Sequence, residues 1–416
     1  MKLSEELKWR GFINQTTIEN LAYLDENKLS FYHGYDASAN SLTIGNLAAI
    51  MLDKIFIKHG WKPVILSGGA TSLIGDPGGK ESERQLQAIE QINQNVASVS
   101  KQIELLIGSQ ATFVNNLDWY QNMNVLNFLR DVGKHFSMTP LVQRDYVAKR
   151  LGEDGKGITY AEFSYTLLQG YDFLYLFRKY GVVLQIAGSD QWGNSLSGID
   201  LIRRVESKTV NVLTCPLIIN KATGKKFGKS EEGAIWLDSN LTSVFKFYQF
   251  WLNIPDESVE YYLKIFTELD KHQVESVMQQ FNSNKSERIA QKTLAFEVTK
   301  IVHGITSAES VQKSSEILFG NQNFQKLNKL DFDLLKNDLP LVTTDLNHSI
   351  IDTLVGSKLI ESKSEARRKI MQGAVYLNGQ KLTSDRIWQK ADTIDDIHII
   401  VRIGKNHNAI IQFNNG

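Results

Sequence analysis

The sequence predicts an α/β protein, with a parallel sheet in its first half, a helical region after it and a small α+β module at its end. Three observations carry that reading. Short apolar runs alternate with helical patterns from about residue 30 to 235, and strands separated by helices pair in parallel because each crossover returns the chain to the same end of the sheet. From about 240 to 320 the pattern turns wholly helical. From about 348 a module begins in which Val375-Tyr376-Leu377 runs into Asn378-Gly379, the signature of a two-residue hairpin turn.

Taken in order, Leu29 to Tyr35 reads as a strand and Leu42 to His59 as a helix with one apolar face. Pro63 to Leu66 is a second strand, running into Gly68-Gly69-Ala70, and Val182 to Ile186 is a third, entering Gly188-Ser189-Asp190. In such a sheet, ligands sit beyond the carboxyl ends of the strands, which is where these glycine-rich loops fall. Helices are expected over Ser243 to Leu252, Ser258 to Phe266 and Ser286 to Val302. The aromatic stretch Phe245, Phe247, Tyr248, Phe250 and Trp251 reads as packing rather than as a binding surface. Residues 321–347 are polar without firm periodicity and read as a linker. The last module holds Ile350 to Leu354, Lys363 to Met371 and the hairpin. The expected division is therefore 1–235, 236–320, a linker over 321–347, and 348–416.

Composition bounds the function. The 416 residues, 42% of them hydrophobic, suffice for a large core and two or three domains. The 46 basic and 46 acidic residues cancel, so any nucleic-acid contact must come from local patches. A single cysteine, Cys215, excludes an internal disulfide framework and a multi-cysteine metal site. Met1 to Glu6 carries acids and no apolar core, unlike a secretory or transit peptide. No apolar run approaches the roughly 20 residues that span a bilayer. A soluble, cytoplasmic protein without membrane contact is expected.

Chemistry concentrates in a few stretches. Lys226-Phe227-Gly228-Lys229-Ser230 places two lysines three apart around a glycine, on a loop opened by Thr223-Gly224. That suits phosphates, although a solvated surface loop uses the same residues. Tyr32 to Asp36 closes the first strand, and Ser38 to Asn46 leads into a helix whose free N–H groups and dipole favour phosphate. Gly45 admits a close ligand approach, but taken alone it reads rather as a packing glycine, and Asp36 as an ordinary turn residue. Ser67 to Arg84 sets Gly68, Gly69, Gly75, Gly78 and Gly79 beside Asp76, Lys80 and Arg84. Tyr165, Gln169 and Asp172 share one helix face at i, i+4 and i+7, flanked by apolar and aromatic residues that make a polar pocket credible. Asp190 and Gln191 follow a buried strand, where ribose hydroxyls are commonly read.

These residues, taken together, resemble the bacterial tyrosyl-tRNA synthetases, class I aminoacyl-tRNA synthetases, from about residue 5 to the end. The resemblance rests on Gly68 to Pro77, on Phe128 to Phe136, on Glu162 to Asp172, on Gly188 to Asn194 and on Lys226 to Ser230. It implies a Rossmann-like catalytic domain, a helical anticodon-binding domain and an S4-like RNA-binding domain. The implied activity is tyrosine–tRNA ligation, with ATP as a substrate, Mg2+ accompanying it, no tightly bound cofactor and no protein-held metal. L-tyrosine and tRNA(Tyr) are the implied partners, along with a second copy of the chain meeting it around Phe128 to Met138. By the same resemblance, Tyr32 and Asp172 would meet the substrate's phenolic hydroxyl, and Asp76, Tyr165 and Gln169 its ammonium group, with Gln191 near the reacting carboxylate. Gly34, Asp36, Gly45, Gly188 and Asp190 would line the adenylate, and Leu217 and Ile218 would flank adenine. Lys80, Arg84, Lys226, Lys229 and Ser230 would act on the departing pyrophosphate. Lys358, Lys363, Arg367, Arg368 and Lys369 would form an RNA-facing patch.

One stretch departs from the family pattern. The usual motif is His-x-Gly-His; here it is Thr43-Ile44-Gly45-Asn46, and Ser38 stands where threonine is usual. Asn46 is the milder change, because an amide donates much as an imidazole does. Thr43 is shorter than histidine, and losing one transition-state donor costs on the order of 3 kcal/mol. His33, next to Tyr32, is a candidate substitute. Two other readings stand beside the synthetase: a synthetase-like RNA-binding protein without activation chemistry, and a related tryptophanyl enzyme, some of which carry threonine first and asparagine last in this motif.

Overall fold

The computed structural model describes residues 1–76, 88–152, 155–218, 229–230, 233–320, 323–404 and 407–414. Its first unit comprises Met1–Leu237 with Glu260–Ser276. Six strands form its sheet: β1 (Gln15–Thr16), β2 (Ser30–Tyr35), β3 (Lys62–Ser67), β4 (Thr112–Asn115), β5 (Val182–Gly188) and β6 (Asn211–Cys215), in the order β1-β6-β5-β2-β3-β4. All neighbours are parallel except β1, which runs antiparallel to β6. The chain winds from β2 through β3 to β4 on one side, then returns to lay β5 and β6 on the other. The winding direction reverses between β2 and β5, and such a switch point leaves a crevice beyond the strands' carboxyl ends. A separate ribbon pairs β7 (Lys229–Ser230) antiparallel with β8 (Gly233–Ala234).

Three helices bury the sheet around that crevice. α1 (Ile44–Lys58) buries Ile44, Leu47, Ile50, Met51 and Ile55 at helical spacing. α2 (Tyr160–Tyr180) opens with a capping box, the Thr159 hydroxyl accepting from the Glu162 amide at 3.2 Å while the Glu162 carboxylate accepts from the Thr159 amide at 3.1 Å. It ends at Gly181, whose left-handed φ of 63° favours glycine as a helix C-cap. α3 (Trp192–Glu206) packs alongside α2. Successive β2 side chains alternate between the two faces of the sheet. Tyr32 therefore meets Phe173 of α2, ring centroids 5.1 Å apart, while His33 turns to Asp53 of α1. The segment 260–276 belongs to this unit: Arg10 donates to the carbonyls of Lys264, Thr267 and Leu269 at 2.6, 2.9 and 2.9 Å.

The second unit comprises Asp238–Val259 with Val277–Gly416. Its helices include α4 (Val244–Leu252), α5 (Ile289–His303) and α6 (Ile305–Phe319). Of the aromatic stretch on α4, Phe245, Phe247, Tyr248 and Trp251 are buried, so it serves packing. Residues 321–347 differ from the expected linker, because they contain α7 (Lys329–Leu335) and β9 (Leu341–Thr344). Polar anchors, invisible to hydrophobic periodicity, hold α7. Buried Asp331 pairs with Lys313 at 2.6 Å and accepts from the Ser310 hydroxyl, and Asn328 caps the helix. Strand β9 then joins a five-stranded sheet with β10 (Val375–Leu377), β11 (Gln380–Lys381), β12 (His398–Ile403) and β13 (His407–Phe413), ordered β11-β10-β12-β13-β9. β10 and β11 are the expected hairpin: Leu377 faces Gln380 across Asn378 and Gly379, with φ of 45° and 80°. α8 (Ile350–Gly356) and α9 (Lys363–Met371) cover the sheet over a core of Ile350, Leu354, Trp388, Val401 and Ile411.

Candidate active site

A cavity of roughly 460 Å³ opens at the switch point between β2 and β5. Residues expected on the substrate from β2, α1 and α2 line it: Tyr32, Gly34, Asp36, Thr43, Gly45, Asn46, Tyr165, Gln169 and Asp172. So do Asp76 and, from the β5 and β6 ends, Gly188, Asp190, Gln191, Leu217 and Ile218. These residues are scattered over nearly two hundred positions of sequence, and the winding of the sheet brings them together.

At one end lies Asp172 on α2, 1% exposed. Its Oδ1 accepts from the Trp119 indole at 3.0 Å and its Oδ2 from the Asn116 amide at 3.1 Å. Burial pushes its carboxyl up to about 7, against the opposing pull of those donors. The Tyr32 hydroxyl, buried without a hydrogen-bond partner, is held well above the ordinary phenol range by burial and by the Asp172 charge. The buried amide oxygens of Gln169 and Gln185, also facing this cavity, are likewise unpartnered. Unpaired buried polar atoms each cost about 1–3 kcal/mol, and these three belong to residues that line one cavity.

From Asp172 a chain of hydrogen bonds runs toward β2. Asn116 also donates to Thr71 at 3.2 Å, Thr71 to Asp36 at 3.1 Å, and Tyr165 reaches the other Asp36 oxygen at 3.1 Å. The close approach of Thr71 to Asp36 requires Gly68, since a Cβ there would collide with Asp36 Oδ1 and Thr71 Oγ1. Across the cavity, Gln191 donates to Asp76 at 2.5 Å and accepts from Asn194 at 3.2 Å. The ammonium-binding and carboxylate-facing candidates are thus held by each other.

The other end is the N-terminus of α1. The Thr43 hydroxyl and its backbone N–H both donate to Asn46 Oδ1, each at 3.0 Å. The two departures from the family motif therefore serve each other as a helix cap, and the hydroxyl proton of Thr43 is engaged there rather than directed at a ligand. Backbone bonds tie this cap to the segment after the lysine loop. Ile44 N–H donates to the Ile235 carbonyl at 3.0 Å and Leu237 N–H to the Leu42 carbonyl at 2.8 Å, with a bridge between Thr43 and Trp236. β8 leads into that segment, and its partner strand carries Lys229 and Ser230 in the backbone ribbon. Lys80, Arg84 and Lys226 lie outside the described residues.

Several residues at the site were not singled out by the sequence. Asn116 and Trp119 sit in an unremarkable Asn-Asn-Leu-Asp-Trp stretch. Asp53 lies inside the apolar run of α1, and an acid among Met51, Leu52, Ile55 and Phe56 is the signal that would have found it. Cys215 borders the cavity, but burial pushes its thiol up to about 12, so it supplies no thiolate at neutral pH.

The chain matches a family model described as tRNA synthetases class I (W and Y) over residues 24–320. A second model, the Tyrosine--tRNA ligase SYY-like C-terminal domain, matches residues 331–411. It is 41% identical over 423 residues to "Tyrosine--tRNA ligase 1" of Streptococcus thermophilus (strain CNRZ 1066), covering 99% of this chain and 100% of that one. It is 40% identical over 423 residues, with the same coverage, to the "Tyrosine--tRNA ligase" of Lactococcus lactis subsp. lactis (strain IL1403). Among solved structures, it aligns with the C-terminally truncated mitochondrial tyrosyl-tRNA synthetase of Aspergillus nidulans at a TM-score of 0.70 and 31% identity, covering 76% of this chain and 94% of that one. With the cavity at the switch point of a parallel sheet and full-length identity to tyrosine enzymes, the chain belongs to the class I tRNA synthetases of the tryptophan and tyrosine group, on its tyrosine branch.

Proposed function

We infer that the cavity between β2 and β5 joins L-tyrosine to ATP and then loads the amino acid on tRNA(Tyr), the chain being a tyrosine–tRNA ligase. The observation that carries the residue-level reading is the buried, unpartnered Tyr32 hydroxyl beside Asp172. A substrate phenol entering there accepts from Tyr32 and donates to Asp172. Phenylalanine leaves the Tyr32 hydroxyl unpaired and gives Asp172 no donor beyond Asn116 and Trp119. The tyrosine enzymes are themselves the standard example of such a site, rejecting phenylalanine by about 10⁵ without editing.

In the first step the tyrosine carboxylate attacks the α-phosphate of ATP. A carboxylate oxygen–phosphorus bond forms, the bond to the β-phosphate's bridging oxygen breaks, and pyrophosphate leaves. No side chain acts as nucleophile, so the protein contributes position and charge. Asp76, Tyr165 and Gln169 hold the ammonium group, and Gln191 sits near the carboxylate. Gly34, Asp36, Gly45, Gly188 and Asp190 receive the adenylate, with Leu217 and Ile218 against adenine. Lys80, Arg84, Lys226, Lys229 and Ser230 draw off pyrophosphate, and Mg2+ enters with ATP on its phosphate oxygens. In the second step a ribose hydroxyl at the tRNA end attacks the tyrosyl carbonyl and AMP leaves.

We assign residues 1–235 to activation, 236–320 to the anticodon arm and 348–416 to S4-like RNA binding. Arg367 and Arg368, exposed on α9, support the last assignment, whereas Lys363 and Lys369 are engaged with Asp352 and Glu365. We also propose a homodimer in the cytoplasm. The exposed Leu126, Leu129 and Met138 support the expected interface, and among the described residues no helix is long and apolar enough to cross a membrane. Tyrosine-dependent exchange of pyrophosphate into ATP tests the activation step, and its absence at high enzyme concentration refutes it.

A further inference from the structure

We propose that Arg144 is a positioning residue for amino-acid activation. It sets the direction of a hydrogen-bond chain running through Thr166 and Asn194, so that Gln191 turns its amide N–H groups, rather than its oxygen, toward the reacting carboxylate. The proposal rests on the tyrosine-activating function assigned above and concerns a residue outside the cavity lining.

Arg144 stands half-buried in the turn between the helices Met138–Val142 and Asp145–Leu151. Its Nη1 donates to the Thr166 hydroxyl of α2 at 3.0 Å and to Asn194 Oδ1 of α3 at 3.3 Å, and its Nη2 to the Ser197 hydroxyl at 2.6 Å. Thr166, Asn194 and Ser197 are all buried. A guanidinium only donates, so the groups facing it must present oxygen. The Thr166 hydroxyl accepts from it and gives its own hydrogen bond to Asn194 Oδ1 at 2.8 Å. With two donors aimed at that oxygen, a flipped Asn194 would set N–H against N–H and O–H. Its amide nitrogen is therefore left to face Gln191, donating to Gln191 Oε1 at 3.2 Å, and Gln191 Nε2 then donates to Asp76 at 2.5 Å. Each amide takes its orientation from the group before it, and the first member of the chain is the one that cannot be reversed.

The consequence falls on the substrate. On the roles assigned above, the ammonium group goes to Asp76 and the carboxylate lies beside Gln191. An incoming zwitterion then replaces the Gln191–Asp76 bond, its ammonium taking Asp76 and its carboxylate taking Gln191 Nε2. A carboxylate only accepts, so a reversed Gln191 would meet it oxygen to oxygen. Arg144 is not what holds α2 against α3. A Cβ at Gly198 of α3 would come within 2.8 Å of Phe173 of α2, so those helices already touch closely without the guanidinium. Arg144 does not reach the cavity itself and acts through Gln191.

Equilibrium binding of two ligands to the full-length enzyme, with thermal unfolding recorded for each variant, tests this. One ligand is tyrosine; the other is tyramine, which keeps the phenol and the ammonium group but has no carboxylate. Arg144→Met, which keeps the stem and removes every donor, is expected to weaken tyrosine binding about ten- to a hundredfold and to leave tyramine within about twofold. In a Gln191→Ala background the same substitution is expected to change tyrosine binding by less than about twofold, because the group it positions is gone. Should Arg144→Met fail to fold, Asn194→Asp takes its place. The new carboxylate keeps a partner for the guanidinium but has no N–H for Gln191, and the same selective loss is expected. Equal weakening of both ligands, unchanged tyrosine binding, or a loss that simply adds to that of Gln191→Ala overturns the proposal. A wild-type enzyme that binds neither ligand overturns the functional reading itself.

Discussion

The two ends of the cavity solve their recognition problems differently. At the α2 end, Asp172 sits among fixed donors, Asn116 and Trp119, with the Tyr32 hydroxyl waiting unpaired. Tyr32 and Asp172 there are the residues the family resemblance places on a phenol. At the α1 end, the usual histidines are gone, and Thr43 and Asn46 bind each other as a cap. Farther along α1, Asp53 instead joins His33 and Tyr35 of β2 in a separate polar cluster. The contrast has a physical reason. On the proposed reading, the α2 end takes the substrate phenol and must discriminate between substrates that differ by one hydroxyl, so each donor and acceptor is dictated by the ligand. On the same reading, the α1 end takes phosphate, where positive charge and donors near anionic oxygens are needed, and more than one arrangement of side chains supplies them.

The largest effect that would break the comparison is at Asp172. Asp172→Ala should collapse the preference for tyrosine over phenylalanine, expected in wild type at about 10⁵, toward unity in kcat/KM. Retention of more than about a hundredfold preference would mean that selectivity lies elsewhere. Next is Asn116→Ala. Removing one donor to a buried carboxylate costs about 1.5–3 kcal/mol, so KM for tyrosine should rise roughly ten- to a hundredfold while KM for ATP stays put. An equal rise in both would assign Asn116 to general packing.

Much of this could be read in the sequence, and the reasons for what could not are specific. The strands and the hairpin at Asn378-Gly379 follow from short-range rules, and they stand where expected. The face shared by Tyr165, Gln169 and Asp172 follows from helical periodicity, and all three line the cavity. Residues 321–347 misled because α7 is anchored by Asp331, Lys313 and Ser310, polar contacts that periodicity does not register. His33 was visible as a residue, but its partner Asp53 is twenty positions away and only the return of α1 across the sheet brings them together. Asn116 reaches Asp172 in the same way, from the loop after β4.

Two smaller effects sharpen the comparison. Burial pushes the Asp172 carboxyl up to about 7, and only its ionised form accepts fully from the substrate phenol. KM for tyrosine should therefore fall as pH rises through about 7, and Asp172→Asn should remove that dependence. A wild-type KM for tyrosine flat between pH 6 and 8 would contradict the assigned role of its carboxylate. The smallest expected effect is at the cap. Thr43→Val removes a hydroxyl whose proton is engaged with Asn46, and losing such a cap costs about 1 kcal/mol of stability, with kcat for exchange changed less than about threefold. A hundredfold loss of kcat would return Thr43 to the phosphate and contradict its reading as a cap.

The most direct measurement is pyrophosphate exchange by the wild-type enzyme with tyrosine, phenylalanine and tryptophan offered separately. The account predicts rapid exchange with tyrosine and exchange lower by several orders of magnitude with the other two. Exchange supported best by tryptophan, or by none of the three at high enzyme concentration, would contradict it.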